Sequence, residues 1–432
     1  MNLAYAAYAA LSTGAYLSVC PFYWLKTRSK RDSRRIFSQR MGCYDVAHVA
    51  AVSGSPRIWL HAVSVGEVRA AQAIINALSR RLPRAGIILS TTTPHGQQAA
   101  REALGSKVTC VFAPLDFTLS VRKALLTFRP HVLVCLETEI WPNWLMTAHR
   151  LGIPTAIVNG RISARSIRAY RKARPLIHAV LNSISALSMI HDADAGRMLE
   201  LGAPAEKISV NGNAKFDLLL EQIQHADIEG LKKRYGIKLN QPVLVAGSTR
   251  GTEPEMMLNV YRQIVSAFPD FLLIIVPRHV EKSPEIKAGV LARGLACQLR
   301  TELESAGVYR SASVVVVDTM GELQSLYGIA TVVFCGGSMV PLGGQNILEA
   351  AAWGKPVLYG PSMEDFPDAG ELLEKNNAAV QVADEAELAE KILYYLSNPD
   401  AADALGDRAR QVSMTCGGAA ERHAEVICGL LN

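Results

Sequence analysis

An acidic residue, Glu67, closes the segment His61-Ala-Val-Ser-Val-Gly-Glu67. The apolar run Ile58–Val63 before it predicts a buried strand, and the helical spacing of apolar residues after it predicts a helix from about Glu67 to Leu82. A carboxylate at a helix start can simply complement the helix dipole. However, Gly66 lets a substrate approach the backbone, and His61 stands near the strand end. Glu67 is therefore a candidate general base that accepts a proton from a hydroxyl group.

Two other segments of the first half place charged groups after predicted strands. Glu137-Thr-Glu139-Ile-Trp141-Pro-Asn143 follows the apolar run Val132–Leu136. Since a buried unpaired charge is costly, these acids form either a functional site or an exposed acidic turn. Gly212-Asn-Ala-Lys215 follows another apolar run, and Lys215 either meets an anion or is solvated.

In the second half, loops that follow predicted strands carry groups suited to a nucleotide. The groups are Arg250 in Gly247–Glu253, then Pro277-Arg278-His279, Met320-Gly321-Glu322, Gly336-Gly337-Ser338, and Gly343-Gly344-Gln345-Asn346 leading to Glu349. Loop N–H groups and arginine suit phosphate, a glycine-rich loop at a helix N-terminus cradles it, and Glu349 can accept from ribose hydroxyls. A Walker loop and a G-x-G-x-x-G fingerprint are both missing from the sequence, which disfavours an NTPase and a dehydrogenase.

These loops need elements that bring them together. Short apolar runs alternate with amphipathic ones twice along the chain, which predicts two doubly wound, Rossmann-like α/β domains with parallel sheets. The polar stretch Glu221–Lys238 predicts a linker between them, and Asn346–Trp353 predicts a helix that ends at Gly354. Because ligands bind at the carboxyl ends of parallel strands, we expect the two domains to face a cleft that holds the site.

Composition narrows the class of protein. The 432 residues are 49% hydrophobic and 19% charged, which indicates a folded chain of two or three domains. The net charge of +6 is concentrated between Lys26 and Arg40, where seven basic residues stand against Asp32. Because no basic stripe with interleaved aromatic residues occurs elsewhere, the sequence disfavours nucleic-acid binding. The eight scattered cysteines form no C-x-x-C pair and predict free thiols.

The first 25 residues contain no charged side chain and end in Phe22-Tyr23-Trp24. Their length is that of a membrane-spanning helix, about 20 residues, and the aromatic and basic residues that follow suit a membrane surface. A cleaved signal peptide would place positive charge before the apolar run. An amphipathic helix that lies on the membrane or packs on the protein is the alternative. Membrane association with cytoplasmic domains is the expectation.

The motifs HAVSVGEV, ETEIWPN, GNAKFD, GSTRGTE, PRH and GGQNILEA follow one another in this order behind the N-terminal segment. Over residues 1 to about 365 the chain resembles the 3-deoxy-D-manno-octulosonic acid (Kdo) transferases. The resemblance implies the GT-B glycosyltransferase fold. It also implies an inverting, metal-independent transfer of Kdo from CMP-Kdo to a lipid A precursor, lipid IVA, in lipopolysaccharide core biosynthesis.

The resemblance also implies residue roles. Glu67 corresponds to the base that deprotonates the acceptor hydroxyl, and Glu137 and Lys215 correspond to stabilisers of the transition state. The CMP-binding residues by resemblance are Pro277, Arg278, Met320, Gly321, Glu322, Gly343, Gly344, Gln345 and Asn346. Arg250 and Glu349 are added on physical grounds, for the anion and the ribose. The resemblance implies metal-independent transfer, so neither a metal nor another cofactor is expected.

The resulting organisation is an anchor at 1–25, a basic juxtamembrane segment at 26–40, an acceptor-binding domain at 41–220, a linker at 221–238 and a CMP-Kdo-binding domain with a helical tail at 239–432. The expected location is the inner membrane, with membrane lipids and the lipid acceptor as partners and no obligate protein partner. A GT-B sugar-nucleotide epimerase or a UDP-sugar-dependent transferase is the main alternative. A membrane-tethered nucleotide-binding scaffold is the other.

Overall fold

A computed structural model of the chain describes residues 3–27, 31–137, 139–304 and 310–431. Arg28 and Lys30 of the basic segment, Thr138 of the acidic motif, and Met1 and Asn2 of the expected anchor lie outside the described residues. The chain divides into two compact units, Met1–Leu218 with Gly417–Asn432, and Leu219–Cys416.

The described part of the first unit is built around a parallel sheet with the strand order β3-β2-β1-β4-β5-β6-β7. Its strands are β1 (Arg57–His61), β2 (Gly86–Thr91), β3 (Thr109–Phe112), β4 (Val132–Leu136), β5 (Thr155–Gly160), β6 (Ala186–Met189) and β7 (Ile208–Val210). Its helices are α1 (Leu3–Thr27), α2 (Arg31–Arg40), α3 (Val46–Ala51), α4 (Val65–Arg81), α5 (Pro94–Leu104), α6 (Thr118–Phe128), α7 (Pro142–Arg150), α8 (Ala164–Lys172), α9 (Arg174–Ser183), α10 (Asp192–Glu200) and α11 (Ala214–Gln224). The central strands β1, β2, β4 and β5 are covered on both faces, which explains their unbroken apolar runs.

The second unit repeats this plan with the strand order β10-β11-β9-β8-β12-β13-β14, again parallel. Its strands are β8 (Val243–Thr249), β9 (Leu272–Pro277), β10 (Cys297–Leu299), β11 (Val314–Val316), β12 (Val332–Cys335), β13 (Val357–Tyr359) and β14 (Val380–Gln381). Its helices are α12 (Ile228–Arg234), α13 (Glu253–Val265), α14 (Ser283–Ala292), α15 (Leu323–Ile329), α16 (Leu348–Ala351), α17 (Pro367–Lys375), α18 (Glu385–Ser397) and α19 (Pro399–Thr415). The two parallel-sheet α/β units agree with the predicted fold class.

The strands β3, β10 and β14 were not predicted from the sequence. All three are short and form an edge of their sheet, so each has a neighbouring strand on one side only. Only two residues of β3 are buried, and β10 has no buried residue. An apolar run is the signal of a strand buried on both faces, so these strands did not produce it.

Two segments differ in part from the sequence-based predictions of local structure. Residues 221–238, predicted as a polar, helix-prone linker without a strand, contain the end of α11 and the whole of α12, whose Leu231 packs in the core of the second unit. The helix predicted over Asn346–Trp353 is only the four-residue α16. Its shortness follows from the preceding loop, because Gly343 and Gly344 both have positive φ and Ile347 is the N-cap.

The C-terminal residues belong with the first unit, although the sequence analysis assigned 239–432 to the second domain. Helix α20 (Ala419–Gly429) buries Ala420, Ala424 and Ile427 in the core that contains α4. The chain turns at Gly418, which adopts a left-handed conformation with φ 78°. The apolar spacing of α20 was visible in the sequence, but the surface that it covers was not.

Helix α1 packs on the first unit along one face. Tyr5 is buried and its hydroxyl donates to Asn143 Oδ1 at 3.2 Å, while the Tyr8 hydroxyl donates to Asp116 Oδ2 at 2.7 Å. Tyr16 stacks on Phe117, with ring centroids 4.3 Å apart. Across the parts of the chain that the structure describes, no helix combines the length and hydropathy needed to cross a membrane.

Candidate active site

Glu67 lies in the first turn of α4, directly after the carboxyl end of β1. Its side chain is only 7% exposed. One carboxylate oxygen, Oε2, accepts a hydrogen bond from the Val63 N–H at 2.7 Å, and Oε1 accepts one from the Ser64 hydroxyl at 3.0 Å. The carboxylate folds back onto Val63 and the Ser64 side chain, which precede the helix, so it does not cap the first N–H groups of α4. The same contacts fix its orientation.

The protonation of Glu67 is set by burial and by its charged neighbours. Burial raises the pKa of Glu67, the Val63 N–H opposes that effect, and the Glu137 carboxylate raises the pKa further. Smaller contributions from Ser64 and Lys215 lower the pKa. A carboxylate with a raised pKa is a stronger proton acceptor than an exposed one, which is a property that a general base needs.

Glu137 and Lys215 form an ion pair next to Glu67. Lys215 Nζ lies 2.5 Å from Glu137 Oε1, and both side chains are partly exposed. Glu137 directly follows β4 and has φ 54°, a conformation that non-glycine residues rarely adopt and that often marks functional sites. A methyl group added at Gly66 would lie 3.9 Å from Lys215 Nζ, so the lysine reaches the start of α4. The structure therefore brings Glu67, Glu137 and Lys215 together.

Glu139 is a further acid of this cluster that the sequence analysis did not include among its site residues. Burial raises the pKa of Glu139 to about 7, with an added contribution from Glu67 and a smaller one from Glu137. The Trp141 indole N–H donates to Glu139 Oε2 at 2.5 Å, which partly offsets the shift. The signal was present in the sequence, because two acids and a tryptophan within five residues are unusual for a solvated turn.

His61 is part of the core of the first unit. It is 1% exposed, its Nδ1 lies 3.0 Å from Ser90 Oγ, and its ring stacks on Trp144 with centroids 4.9 Å apart. Burial lowers the pKa of His61 to about 4, so the ring is neutral near pH 7. His61 thus supports the end of β1 as a neutral residue of the core.

In the second unit the predicted nucleotide-binding residues follow the carboxyl ends of neighbouring strands. The order β11-β9-β8-β12 places the loops after these four strands at one edge of the sheet, because parallel strands end on the same side. Arg250 follows β8, Pro277 ends β9 and Arg278 follows it, and Met320, Gly321 and Glu322 lie between β11 and α15. Gly343, Gly344, Gln345 and Asn346 lie between β12 and α16, which carries Glu349.

The glycine loop after β12 does not offer all its N–H groups to a ligand. Glu253 is fully buried at the start of α13, and its carboxylate accepts hydrogen bonds from the N–H groups of Gly337, Ser338 and Met339 at 2.6–3.0 Å. It also accepts one from the Arg250 N–H at 2.8 Å. The expectation that Gly336-Gly337-Ser338 cradles phosphate was therefore wrong at residues 337 and 338, because an internal carboxylate occupies that place.

The charged side chains at this edge of the sheet differ in their exposure and in their hydrogen-bond partners. The Arg250 guanidinium donates to Leu342 O at 3.2 Å, and Arg278 is exposed. The Glu322 carboxylate accepts from Arg300 Nε at 2.7 Å and from the Thr319 hydroxyl at 2.6 Å. Since Arg300 is only 3% exposed, the Glu322 carboxylate supports the loop internally.

The last loop makes a tight turn, in which the Gly344 N–H donates to Gly337 O at 2.8 Å. Gly343 and Gly344 have φ 81° and 72°, and added side chains would meet Asp365 and Met363. The Gly343 N–H donates to Ser362 Oγ at 2.9 Å, and Asn346 Oδ1 accepts from the Leu348 N–H at 3.3 Å. The Glu349 carboxylate accepts from the Gln324 side chain. The described residues contain no cluster of three or more His, Cys, Asp or Glu side chains that could hold a metal ion.

Comparison with known proteins gives the family. Residues 35–218 match the model of "3-Deoxy-D-manno-octulosonic-acid transferase (kdotransferase)", and residues 344–421 match a "Glycosyl transferase-like" model. A 3-deoxy-D-manno-octulosonic acid transferase of Haemophilus influenzae is 31% identical, covering 94% of this chain and 93% of that protein. One of Bordetella pertussis is 32% identical, covering 84% and 85%.

Solved structures resemble the fold at low sequence identity. The UDP-GlcNAc 2-epimerase of Neisseria meningitidis, bound to UDP-GlcNAc, aligns with TM-score 0.62 at 14% identity, covering 86% of this chain and 100% of that chain. Anabaena HepE in complex with UDP and glucose aligns with TM-score 0.55 at 16% identity, covering 86% and 99%. These likenesses show the fold alone.

The two parallel-sheet α/β units agree with the glycosyltransferase class that both family models name. Within that class, the chain belongs to the 3-deoxy-D-manno-octulosonic acid transferase family, because the Haemophilus relative matches over nearly its whole length.

Proposed function

We propose that this enzyme transfers Kdo from CMP-Kdo to a hydroxyl group of a lipid A precursor, lipid IVA, with Glu67 as the general base. The observation that carries the proposal is the grouping of Glu67, Glu137 and Lys215 at the start of α4, because these are the residues to which the Kdo transferase motifs assign the chemistry. The family membership supports the donor and the reaction type.

The proposed step is a single displacement with inversion. The acceptor oxygen attacks the anomeric carbon of Kdo, its proton passes to the Glu67 carboxylate, and the bond from that carbon to the CMP phosphate oxygen breaks with its electrons on CMP. The transition state resembles an oxocarbenium ion, as in glycoside hydrolysis. The Val63 N–H and the Ser64 hydroxyl hold the Glu67 carboxylate in place, which lowers the cost of ordering it.

In the same proposal, Lys215 supplies positive charge where negative charge develops, and Glu137 holds the lysine by their 2.5 Å contact. Arg250 and Arg278 offset the charge of the departing CMP. Fixed cationic side chains would then stabilise the charge on the departing CMP, which a metal ion does in other transferases. Metal-independent transfer is therefore part of the proposal.

We further propose that the protein associates with the inner membrane through α1, with both units on the cytoplasmic side. The outer face of α1 carries exposed apolar residues, including Leu3, Leu11 and Leu17, and the basic segment with Arg31 to Arg40 follows. A surface of this kind suits binding to an anionic membrane. A lipid acceptor would be within reach of an enzyme held there.

The test is transfer by the purified protein. It is incubated with CMP-Kdo and a tetraacylated lipid A precursor, with and without EDTA, and the product is measured by mass spectrometry. Glu67→Gln is expected to lower kcat by at least about 100-fold while CMP binding, followed by titration, persists. The matched control Glu102→Gln, an exposed acid on α5, is expected to leave kcat unchanged.

Near-normal turnover by Glu67→Gln would contradict the role of Glu67, and a loss of activity with EDTA would contradict metal independence.

A second candidate, a sugar-nucleotide epimerase or UDP-sugar transferase, is favoured by the fold likeness to UDP-GlcNAc 2-epimerase. Tighter binding of UDP than of CMP in the same titration would support it. Binding without turnover would indicate a nucleotide-binding scaffold.

A further inference from the structure

The last helix of the chain, α20, lies against the two elements that carry Glu67 and Lys215. Its apolar face, with Ala420, Ala424 and Ile427, is buried in the same core as α4. At the far end of α4, away from Glu67, exposed ion pairs join the helices, for example Arg81 Nη2 to Glu425 Oε1 at 2.6 Å. Helix α20 is therefore fixed on α4 along its length.

Polar side chains of α20 bind the loop between β7 and α11, which leads directly into Lys215. His423 is buried, and its Nε2 lies 3.0 Å from Gly212 O. Because a carbonyl oxygen only accepts, Nε2 carries the hydrogen, and Nδ1 accepts from the Ser188 hydroxyl at 2.7 Å. Arg422 Nε donates to the neighbouring carbonyl, Asn211 O, at 3.0 Å.

Helix α11 returns a contact to the start of α20. The carboxylate of Asp217, two residues after Lys215, accepts from the N–H groups of Gly418 at 2.5 Å and Ala420 at 2.6 Å. Such a carboxylate satisfies N–H groups that a helix start leaves without partners and complements the helix dipole. On the other side, the Ala214 N–H donates to Asn159 Oδ1 at 2.8 Å. The backbone around Lys215 is thus held from both sides.

We infer that α20 positions Lys215, with His423, Arg422 and Asp217 as positioning residues for sugar transfer. Lysine is a long and flexible side chain, so its Nζ keeps a productive place only if its backbone is fixed. Two successive loop carbonyls and Asp217 are fixed by a helix that also packs on α4, which carries Glu67. The inference rests on the role of Lys215 in the proposed function.

The test compares two substitutions of His423 in the purified full-length enzyme. His423→Phe keeps an aromatic ring of similar volume but removes both hydrogen bonds, whereas His423→Gln keeps an amide donor for Gly212 O. A positioning role predicts that Phe lowers kcat by about 10-fold with KM for CMP-Kdo changed by less than about 2-fold, and that Gln stays within about 3-fold of wild-type kcat. A purely packing role predicts the reverse order.

A double-mutant cycle with Lys215→Ala tests whether His423 acts through the lysine. In that background His423→Phe is expected to change kcat by less than about 2-fold, since the group that it positions is gone. An equal loss in both backgrounds would overturn the inference alone. A Lys215→Ala variant with wild-type kcat would contradict the proposed role of Lys215 and, with it, this inference.

Hydrogen exchange measures the positioning without any activity readout. His423→Phe is expected to speed amide exchange at residues 211–216, and unchanged exchange there would also overturn the inference. The matched control is Glu425→Gln on the same helix, which removes an exposed ion pair far from the loop. It is expected to leave both kcat and the exchange of residues 211–216 as in the wild type.

Discussion

Three glutamates of the first unit, Glu67, Glu137 and Glu139, share one charged neighbourhood. Glu137 raises the pKa of both of the others, and Glu67 raises that of Glu139. Burial is the main cause of the raised pKa values of Glu67 and Glu139, and the nearby like charges add to it, so these two acids retain protons to a higher pH than exposed glutamates do. The cluster therefore links the state of the proposed base to pH.

The pKa of Glu139, raised from 4.5 to about 7, predicts a pH-dependent stability. A glutamate whose pKa is higher in the folded state stabilises the fold as the protonated acid. That stabilisation is complete below pH 4.5 and is lost as the pH rises to about 7. The free energy of unfolding of the wild type relative to Glu139→Gln should therefore fall over this window, by about 1–2 kcal/mol after solvent screening is considered.

Urea unfolding at several pH values measures this difference. The exposed acid Glu102 provides the matched control, because its change to glutamine should alter the free energy of unfolding by less than about 0.5 kcal/mol throughout. A wild-type stability that stays constant relative to Glu139→Gln between pH 4.5 and 7 would show that Glu139 ionises like an exposed acid.

Glu253 acts at the residue scale in the second unit. Its buried carboxylate accepts four backbone N–H groups from two loops, so Glu253→Gln places an amide group against donors that it cannot satisfy. We expect a loss of about 2–4 kcal/mol in the free energy of unfolding, measured with urea. The neighbouring exposed Glu255→Gln is the control, and equal stability of the two variants would contradict this account.

At the scale of elements, α1 has two faces with different surroundings. One face holds tyrosines that hydrogen-bond to Asn143 and Asp116, and the other holds Leu11 at 73% and Leu17 at 64% exposure. These exposed leucines leave apolar surface on the part of α1 that faces away from the first unit, where another apolar surface can cover it. Together with the proposed lipid acceptor, this arrangement makes α1 the element to test for membrane binding.

Leu11→Asp combined with Leu17→Asp is expected to lower co-sedimentation with anionic phospholipid vesicles by at least about 5-fold, because two charges enter the apolar face. Turnover of a soluble, detergent-dispersed acceptor should persist, since neither residue contacts the Glu67 cluster. Leu239→Asp is the matched control, a leucine 93% exposed in the second unit. Equal sedimentation of all three proteins would contradict membrane binding through α1.

At the scale of the whole molecule, the chain leaves the first unit after Leu218 and returns to it at Gly417. Ile427 on the returning helix is fully buried among residues of α4. Ile427→Ala removes about three carbon atoms from this core and should lower the free energy of unfolding of the first unit by about 2–4 kcal/mol. The second unit has its own cores and should be unaffected.

Amide hydrogen exchange resolves this prediction by unit. Faster exchange is expected in α4 and in β1, with the exchange of β8 and β12 unchanged. The control Leu199→Ala removes a leucine that is 48% exposed on α10. Equal acceleration in both units after Ile427→Ala would mean that they unfold as one, which contradicts the division seen here.

The strands that could be predicted from the sequence are those that are buried on both faces of a sheet. Strands covered on both faces gave continuous apolar runs, and β4 and β12 were predicted to the residue. The edge strand β14 is two residues long, and β10 is nowhere buried, so neither carried that signal. The predicted strand ends also put the loops of the second unit at one edge of its sheet, because parallel strands have all their carboxyl ends on one side.

Only the tertiary structure decided which groups meet. The sequence could place Glu67 at the start of a helix, but the contact of Lys215 with Glu137, 78 residues apart, depends on how β4 and α11 are arranged around one sheet. Tertiary packing also decided that the Glu253 carboxylate binds the N–H groups of the loop predicted to hold a phosphate. It likewise decided that α20 packs on the first unit. Local patterns report the burial of each segment, whereas pairing between distant segments depends on the packing of the whole unit.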